Sequence, residues 1–159
     1  MATLKILPMK VDTGYSNQHG YQGPEAANQT FKVGNLISPD ANGNYQATAA
    51  GAPAATAKNR FATAPGQNLA VPTRKTEFTH PHEHGFVEAT LGGTAATAAL
   101  VKVGATYGYA IDPATGNGYV NLADTTNAVF RIESPELRKG VLGQDTNVRG
   151  LVSLLPTAR

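Results

Sequence analysis

Residues 31–49 read FKVGNLISPDANGNYQATA, and this stretch decides the fold class. Residues 31–38 predict one strand, residues 39–44 a turn and residues 45–49 a returning strand. Asp40, Asn42 and Gly43 supply the left-handed backbone and the side-chain capping that a tight turn needs. The sequence therefore predicts a β-hairpin here.

A second stretch repeats this pattern. Residues 102–123 read KVGATYGYAIDPATGNGYVNLA, with Asp112 and Gly116 in the turn. Both copies run Lys-Val-Gly, strand, Pro-containing Asp/Asn/Gly turn, tyrosine, strand. Convergent hairpin chemistry would produce the same likeness without a true repeat. We expect a mostly β fold, in which hairpins build a small β-barrel or β-sandwich.

Residues 1–30 predict an extended N-terminal arm. Pro8 interrupts its apolar positions, and the stretch from residue 12 to residue 28 is polar and rich in glycine. So little apolar surface does not offset the entropy of an independent fold. We expect either a frayed terminus or an arm that binds a neighbouring subunit. The candidate contact residues of that arm are apolar: Leu4, Ile6, Leu7, Met9 and Val11.

Residues 31–159 are expected to form a single β-rich core domain. An Ala/Thr/Pro-rich loop is expected at about residues 50–70, where Pro53, Pro65 and Gly66 disfavour a helix. Residues 134–140 (SPELRKG) predict one short helical turn, because Ser is a good N-cap, Pro suits the first helical position and Gly ends helices.

Composition excludes several classes of function. The chain has 159 residues, a net charge of +2 and no cysteine, so thiol chemistry and zinc–thiolate sites are ruled out. Its basic residues are scattered, whereas nucleic-acid binding requires a concentrated basic surface. The sequence contains no apolar run long enough for a membrane span and no signal-peptide pattern. We expect neither nucleic acid nor membrane as a partner.

Three histidines form the one cluster with chemical potential. His80, His82 and His84 alternate within THPHEH, so in a strand they share one face at about 6.5–7 Å spacing. His82, His84 and Glu88 resemble part of the first cupin metal motif. Thr76 stands where that motif has glycine, and no histidine follows His84. We therefore expect no cofactor, no catalytic residue and no enzymatic activity, with a metal site at these histidines as the weaker alternative.

The arrangement as a whole resembles the capsid decoration, or cement, proteins of tailed bacteriophages. An arm comes first, then the pattern G-x-L-I-x-x-D-x-x-G-x-Y at residues 34–45, an Ala/Thr/Pro-rich middle and a closing G-x-V-x-x-L strand at residues 150–155. The resemblance implies a virion structural protein on the outer capsid surface, assembled in the host cytoplasm. It implies the phage major capsid protein as partner and a homo-oligomer, with a trimer favoured.

Three alternatives remain open from the sequence. The chain is compatible with another virion component, such as a tail, fibre or head-completion protein. A cupin-like metal-binding barrel would use the three histidines. A carbohydrate-binding β-sandwich is disfavoured by the absence of tryptophan and the low aromatic content.

Overall fold

The computed structural model describes residues 5–11, 21–71, 75–79, 85–93, 96–134, 140–142, 145 and 148–159. Within these ranges the chain is mostly β, which confirms the predicted fold class. Its strands are β1 Lys10–Val11, β2 Tyr21–Pro24, β3 Leu36–Pro39, β4 Tyr45–Ala47, β5 Arg60–Ala62, β6 Lys75–Thr79, β7 Val87–Gly92, β8 Thr106–Ile111, β9 Gly118–Asn121, β10 Phe130–Ile132 and β11 Arg149–Leu154. One α-helix, α1 (Ala52–Thr56), and two 3₁₀ turns, Ala98–Leu100 and Pro156–Ala158, accompany them.

Five strands of the second half, residues 85–154, close a barrel. Their neighbours run β7-β11-β10-β8-β9 in antiparallel pairs, and β9 then returns to β7 in parallel, with Leu91 opposite Val120. Small barrels of this kind fill their interior with side chains. The fully buried Tyr109 and Phe130 belong to that core.

The first half, residues 21–79, has the same strand order. Its sheet runs β2-β6-β5-β3-β4, and a parallel bridge joins Glu25 to Tyr45. When the strands of the two halves are aligned by their antiparallel registers, Glu25 matches Leu91 and Tyr45 matches Val120. The parallel bridge of the first half is therefore equivalent to the parallel pair of the second half. The two halves therefore share both topology and register, so the sequence repeat at residues 32–49 and 102–123 is part of a structural duplication.

Hydrogen bonds at the Lys-Val-Gly turns repeat as well. In the first half the N–H of Gly34 donates to the carbonyl of Ala62 at 2.8 Å. In the second half Gly104 donates to Ile132 in the same way at 2.9 Å. We call residues 32–35 and 102–105 the first and second Lys-Val-Gly turns. Each is closed by an N–H to the lysine carbonyl, and each has its glycine at positive φ, 85° and 83°.

β3 is buried on both faces, because its consecutive apolar residues Leu36 and Ile37 are both fully buried. Successive side chains of a strand point to opposite sides. Ile37 packs into the core of the first half with Phe31 and Phe78, whereas Leu36 and Phe61 join the core of the second half. The hydrophobic core of the second half thus extends into the first.

The N-terminal segment differs from the expected arm. Ile6 and Met9 are buried, and β1 pairs with β7 of the second half. Strand β2 (Tyr21–Pro24) lies in the first sheet, paired with β6. Burial of these apolar side chains offsets the conformational entropy that is lost when the N-terminal segment becomes ordered. Residues 5–11 and 21–30 are part of the body of the fold, and the boundary expected at residue 30 does not separate them from it.

The region expected to be a loop, residues 50–70, contains both α1 and β5. The helix forms despite Pro53 because that proline lies in its first turn, where no intrahelical N–H partner is required. The short helical turn expected at residues 134–140 rests on residues 135–139, which lie outside the described residues.

Candidate interaction surfaces

A seam joins the two halves, and the side chain of Asn35 lies at its centre. This buried amide donates through Nδ2 to the carbonyl of Gly116 at 2.9 Å. Its Oδ1 accepts from the N–H of Gly118 at 2.8 Å. A single side chain thereby satisfies two backbone groups of the hairpin that connects β8 to β9, and it fixes that hairpin against the first half.

Tyr109 adds a second polar contact to the seam. Its hydroxyl accepts from the N–H of Leu36 at 3.3 Å, and its ring packs 6.4 Å from that of Phe130. Burial raises the pKa of Tyr109 well above its ordinary value. The phenol therefore stays neutral and serves as a structural hydrogen-bonding group.

Arg149 holds the N-terminal segment. Its buried guanidinium pairs with Glu88, Nε to Oε1 at 2.5 Å, and Nη2 donates to the carbonyls of Pro8 at 3.0 Å and Glu88 at 2.8 Å. Nearby, the N–H of Leu7 donates to Thr90 Oγ1 at 3.2 Å. Of the predicted arm residues, Ile6, Leu7 and Met9 thus contact their own chain. Val11 pairs with Val87 through its backbone, and Leu4 lies outside the described residues.

The C-terminus is anchored by Asn59. Its Nδ2 donates to the carbonyls of Ala54 at 2.8 Å, Ala57 at 3.1 Å and Ala158 at 2.7 Å, and its backbone N–H also donates to Ala158. This side chain is fully buried. It ties α1 to the last 3₁₀ turn of the chain.

The predicted turn residues lie in the two hairpin turns, which we define as residues 40–44 and 112–117. In the first, Asp40 Oδ1 accepts from the N–H groups of Asn42 at 2.8 Å and Asn44 at 2.9 Å, and Gly43 has φ 82°. In the second, a hydrogen bond from Thr115 to the carboxylate holds the pKa of Asp112 below its ordinary value. Gly116 there has φ 72°.

A pinned loop, residues 63–71, exposes apolar side chains. Backbone hydrogen bonds join it to residues 28–31, which precede β3: Gly66 to Phe31, Asn68 to Gln29, and Asn28 to Leu69. Leu69 is 36% exposed on this held backbone, and Val71, two residues further on, is 55% exposed. These two exposed apolar side chains are candidate contact residues.

His80, His82 and His84 lie outside the described residues. Among the residues that the structure does describe, no group of three or more His, Asp or Glu side chains comes together as metal ligands do. The metal alternative stays a prediction.

Sequence reasoning missed Asn35, Asn59 and Arg149. For Asn35 a signal existed, because the repeat places Ala105 at the equivalent position and thereby marks the asparagine as a departure. No comparable pattern distinguishes Asn59 or Arg149, whose partners lie far along the chain.

No helix in the described part of the chain is long and apolar enough to cross a membrane. The chain matches no family model, and neither the curated proteins nor the solved structures include a significant match to it.

Proposed function

We propose that this chain is a virion structural protein that binds the outer surface of a phage capsid and cements neighbouring major-capsid subunits. The observation that carries the proposal is the duplication. A lattice of identical subunits offers identical sites at regular spacing, and a chain with two halves of the same topology offers two related bodies to such a lattice. Paired weak contacts raise overall affinity, because the first contact raises the effective concentration for the second.

The pinned loop supplies a candidate contact. Leu69 is exposed on a backbone that hydrogen bonds already hold, so binding it costs little additional entropy, and Val71 is exposed two residues further on. The hairpin motif at residues 34–45 supports the same proposal through its resemblance to decoration proteins. Residues 5–11 serve in this proposal as internal structure and not as a capsid-binding arm.

The test is co-sedimentation of the purified protein with capsids that lack it, taken from the phage that encodes it. We expect saturable binding, and we expect Val71→Asp to weaken it at least tenfold. Val141→Asp is the matched control, since Val141 is also an exposed valine, at 47%, and belongs to the second half of the chain. Full-length protein that stays in the supernatant at micromolar concentration would refute the proposal.

Deletion of the first 20 residues is a poor test of this function. It removes β1 and the buried Ile6 and Met9, so loss of binding would report loss of folding. Point substitutions on the surface avoid this ambiguity. Electron microscopy of labelled particles separates the outer capsid location from a tail or fibre location.

A further inference from the structure

Each half has one Lys-Val-Gly turn and one hairpin turn, but the seam contains only one turn of each kind. Inside the chain, the first Lys-Val-Gly turn contacts the second hairpin turn, through Asn35 to Gly116 and Gly118. The aliphatic stem of Lys32 also lies over Gly116, with Cε 3.5 Å from the position of an added Cβ. The remaining surfaces are the second Lys-Val-Gly turn, residues 102–105, and the first hairpin turn, residues 40–44.

Both remaining surfaces are open among the described residues. A Cβ added at Gly104 or at Gly43 would meet no described atom within 4 Å. In the first Lys-Val-Gly turn, by contrast, a Cβ on Gly34 would meet the backbone of Met9 in the N-terminal segment. Val103, at the tip of the second Lys-Val-Gly turn, is 63% exposed, whereas its equivalent in the first turn, Val33, is 42% exposed. No other large apolar side chain in the described part of the chain is as exposed.

The charges of the two open surfaces are complementary. The second Lys-Val-Gly turn carries Lys102. On the adjoining strand β10, Arg131 lies opposite Thr106 and is paired with Glu133, Nε to Oε1 at 2.9 Å, with its side chain 49% exposed. The first hairpin turn begins with Asp40. The seam has the same arrangement, since a lysine turn there meets the turn that begins with Asp112.

We propose that the first hairpin turn of one copy docks on the second Lys-Val-Gly turn and Arg131 of a second copy. The inference goes beyond the proposed function and assigns an interface to the homo-oligomer that was expected from the sequence. The contact continues the seam from one chain to the next. It is head-to-tail, because two different surfaces meet, and such contacts close into rings when their rotation permits.

The chemistry of the open surface indicates a more polar contact than the seam. By register, Ala105 stands where the seam has Asn35, and Arg131 stands where the seam has Phe61. An interface in which Lys102 meets a carboxylate, beside the Arg131–Glu133 pair, weakens with salt. The oligomer therefore dissociates at high ionic strength while each chain stays folded.

The test is the mass of the full chain in solution, measured by light scattering at low salt. We expect a multiple of the 16.5 kDa chain, and the single-chain mass for Val103→Asp and for Ala41→Arg. Both positions are exposed, and melting curves identical to wild type show that each variant folds. Lys102→Glu provides a second substitution on the basic side. Val71→Asp changes another exposed valine (55% against 63% for Val103) that belongs to neither surface, and it retains the wild-type mass.

Mixing the two variants tests the head-to-tail geometry. Val103→Asp retains a normal hairpin turn, and Ala41→Arg retains a normal Lys-Val-Gly turn. An equimolar mixture therefore forms a heterodimer of about twice the chain mass and grows no further. A wild-type protein of single-chain mass, a variant that keeps the wild-type mass, or a mixture without heterodimer would each overturn the proposal. Capsid binding is scored separately with Val71→Asp, so either proposal can fail alone.

Discussion

Asn35→Ala tests whether one amide joins the two halves. The substitution removes two hydrogen bonds, to the carbonyl of Gly116 and from the N–H of Gly118. Alanine already occupies the equivalent position, Ala105, in a turn of the same conformation. The turn backbone therefore tolerates alanine, and the loss of unfolding free energy reports the two side-chain hydrogen bonds alone.

The magnitude follows from the groups left without partners. A buried backbone group without a partner costs about 1–3 kcal/mol. Gly118 is buried and Gly116 only half-buried, so we expect Asn35→Ala to lower the free energy of unfolding by about 3 kcal/mol. At a urea m-value of about 2 kcal/mol/M, the midpoint falls by about 1.5 M.

The assay is urea unfolding followed by far-UV circular dichroism, with Gln46→Ala as control. Gln46 is exposed on β4, and exposed substitutions of this kind usually change stability by less than about 0.5 kcal/mol. A loss for Asn35→Ala no larger than that of the control would refute the role given to this amide.

Three further predictions concern buried and turn hydroxyls and the C-terminal anchor. Thr76→Val raises unfolding free energy by about 1 kcal/mol, because Oγ1 of Thr76 is buried without a partner among the described residues. Thr90→Val lowers it by about 1 kcal/mol, since its hydroxyl is bonded to the N-terminal segment; urea midpoints that move in the same direction would contradict this pair. Thr115→Ala raises the pKa of Asp112 towards its ordinary value, measured by NMR titration. Because the pKa of Asp112 is lowered in the folded state, this carboxylate stabilises the fold above the unfolded pKa of about 4, and the contribution is lost as pH falls through the folded pKa. A pKa of Asp112 that is unchanged in Thr115→Ala would show that Thr115 is not the cause. Asn59→Ala frees the C-terminal turn, which carboxypeptidase then digests faster than in wild type; equal digestion rates would argue against the anchor.

The hairpins were predictable because their signals are local. Asp40 and Gly43 lie next to the strands that they connect, and the same holds for Asp112 and Gly116. Turn chemistry of this kind is contained in a few consecutive residues. The sequence left open whether the two hairpins are related or merely convergent, and the shared strand order favours a relation between them.

The placement of the N-terminal segment was not predictable, because its partners are distant in sequence. Ile6 and Met9 look like isolated apolar residues around a proline until Arg149 and Thr90 fold against their neighbours. The same reason applies to Asn59, whose carbonyl partner Ala158 lies 99 residues away. A polarity pattern read along the chain carries no information about such pairings.

The proposed capsid binding is tested most directly by electron microscopy of undecorated phage capsids before and after addition of the purified protein. The account predicts added density on the outer surface, at the same position around every junction between major-capsid subunits, into which the two-half body fits. Density confined to the tail, or capsids unchanged at saturating protein, would contradict it.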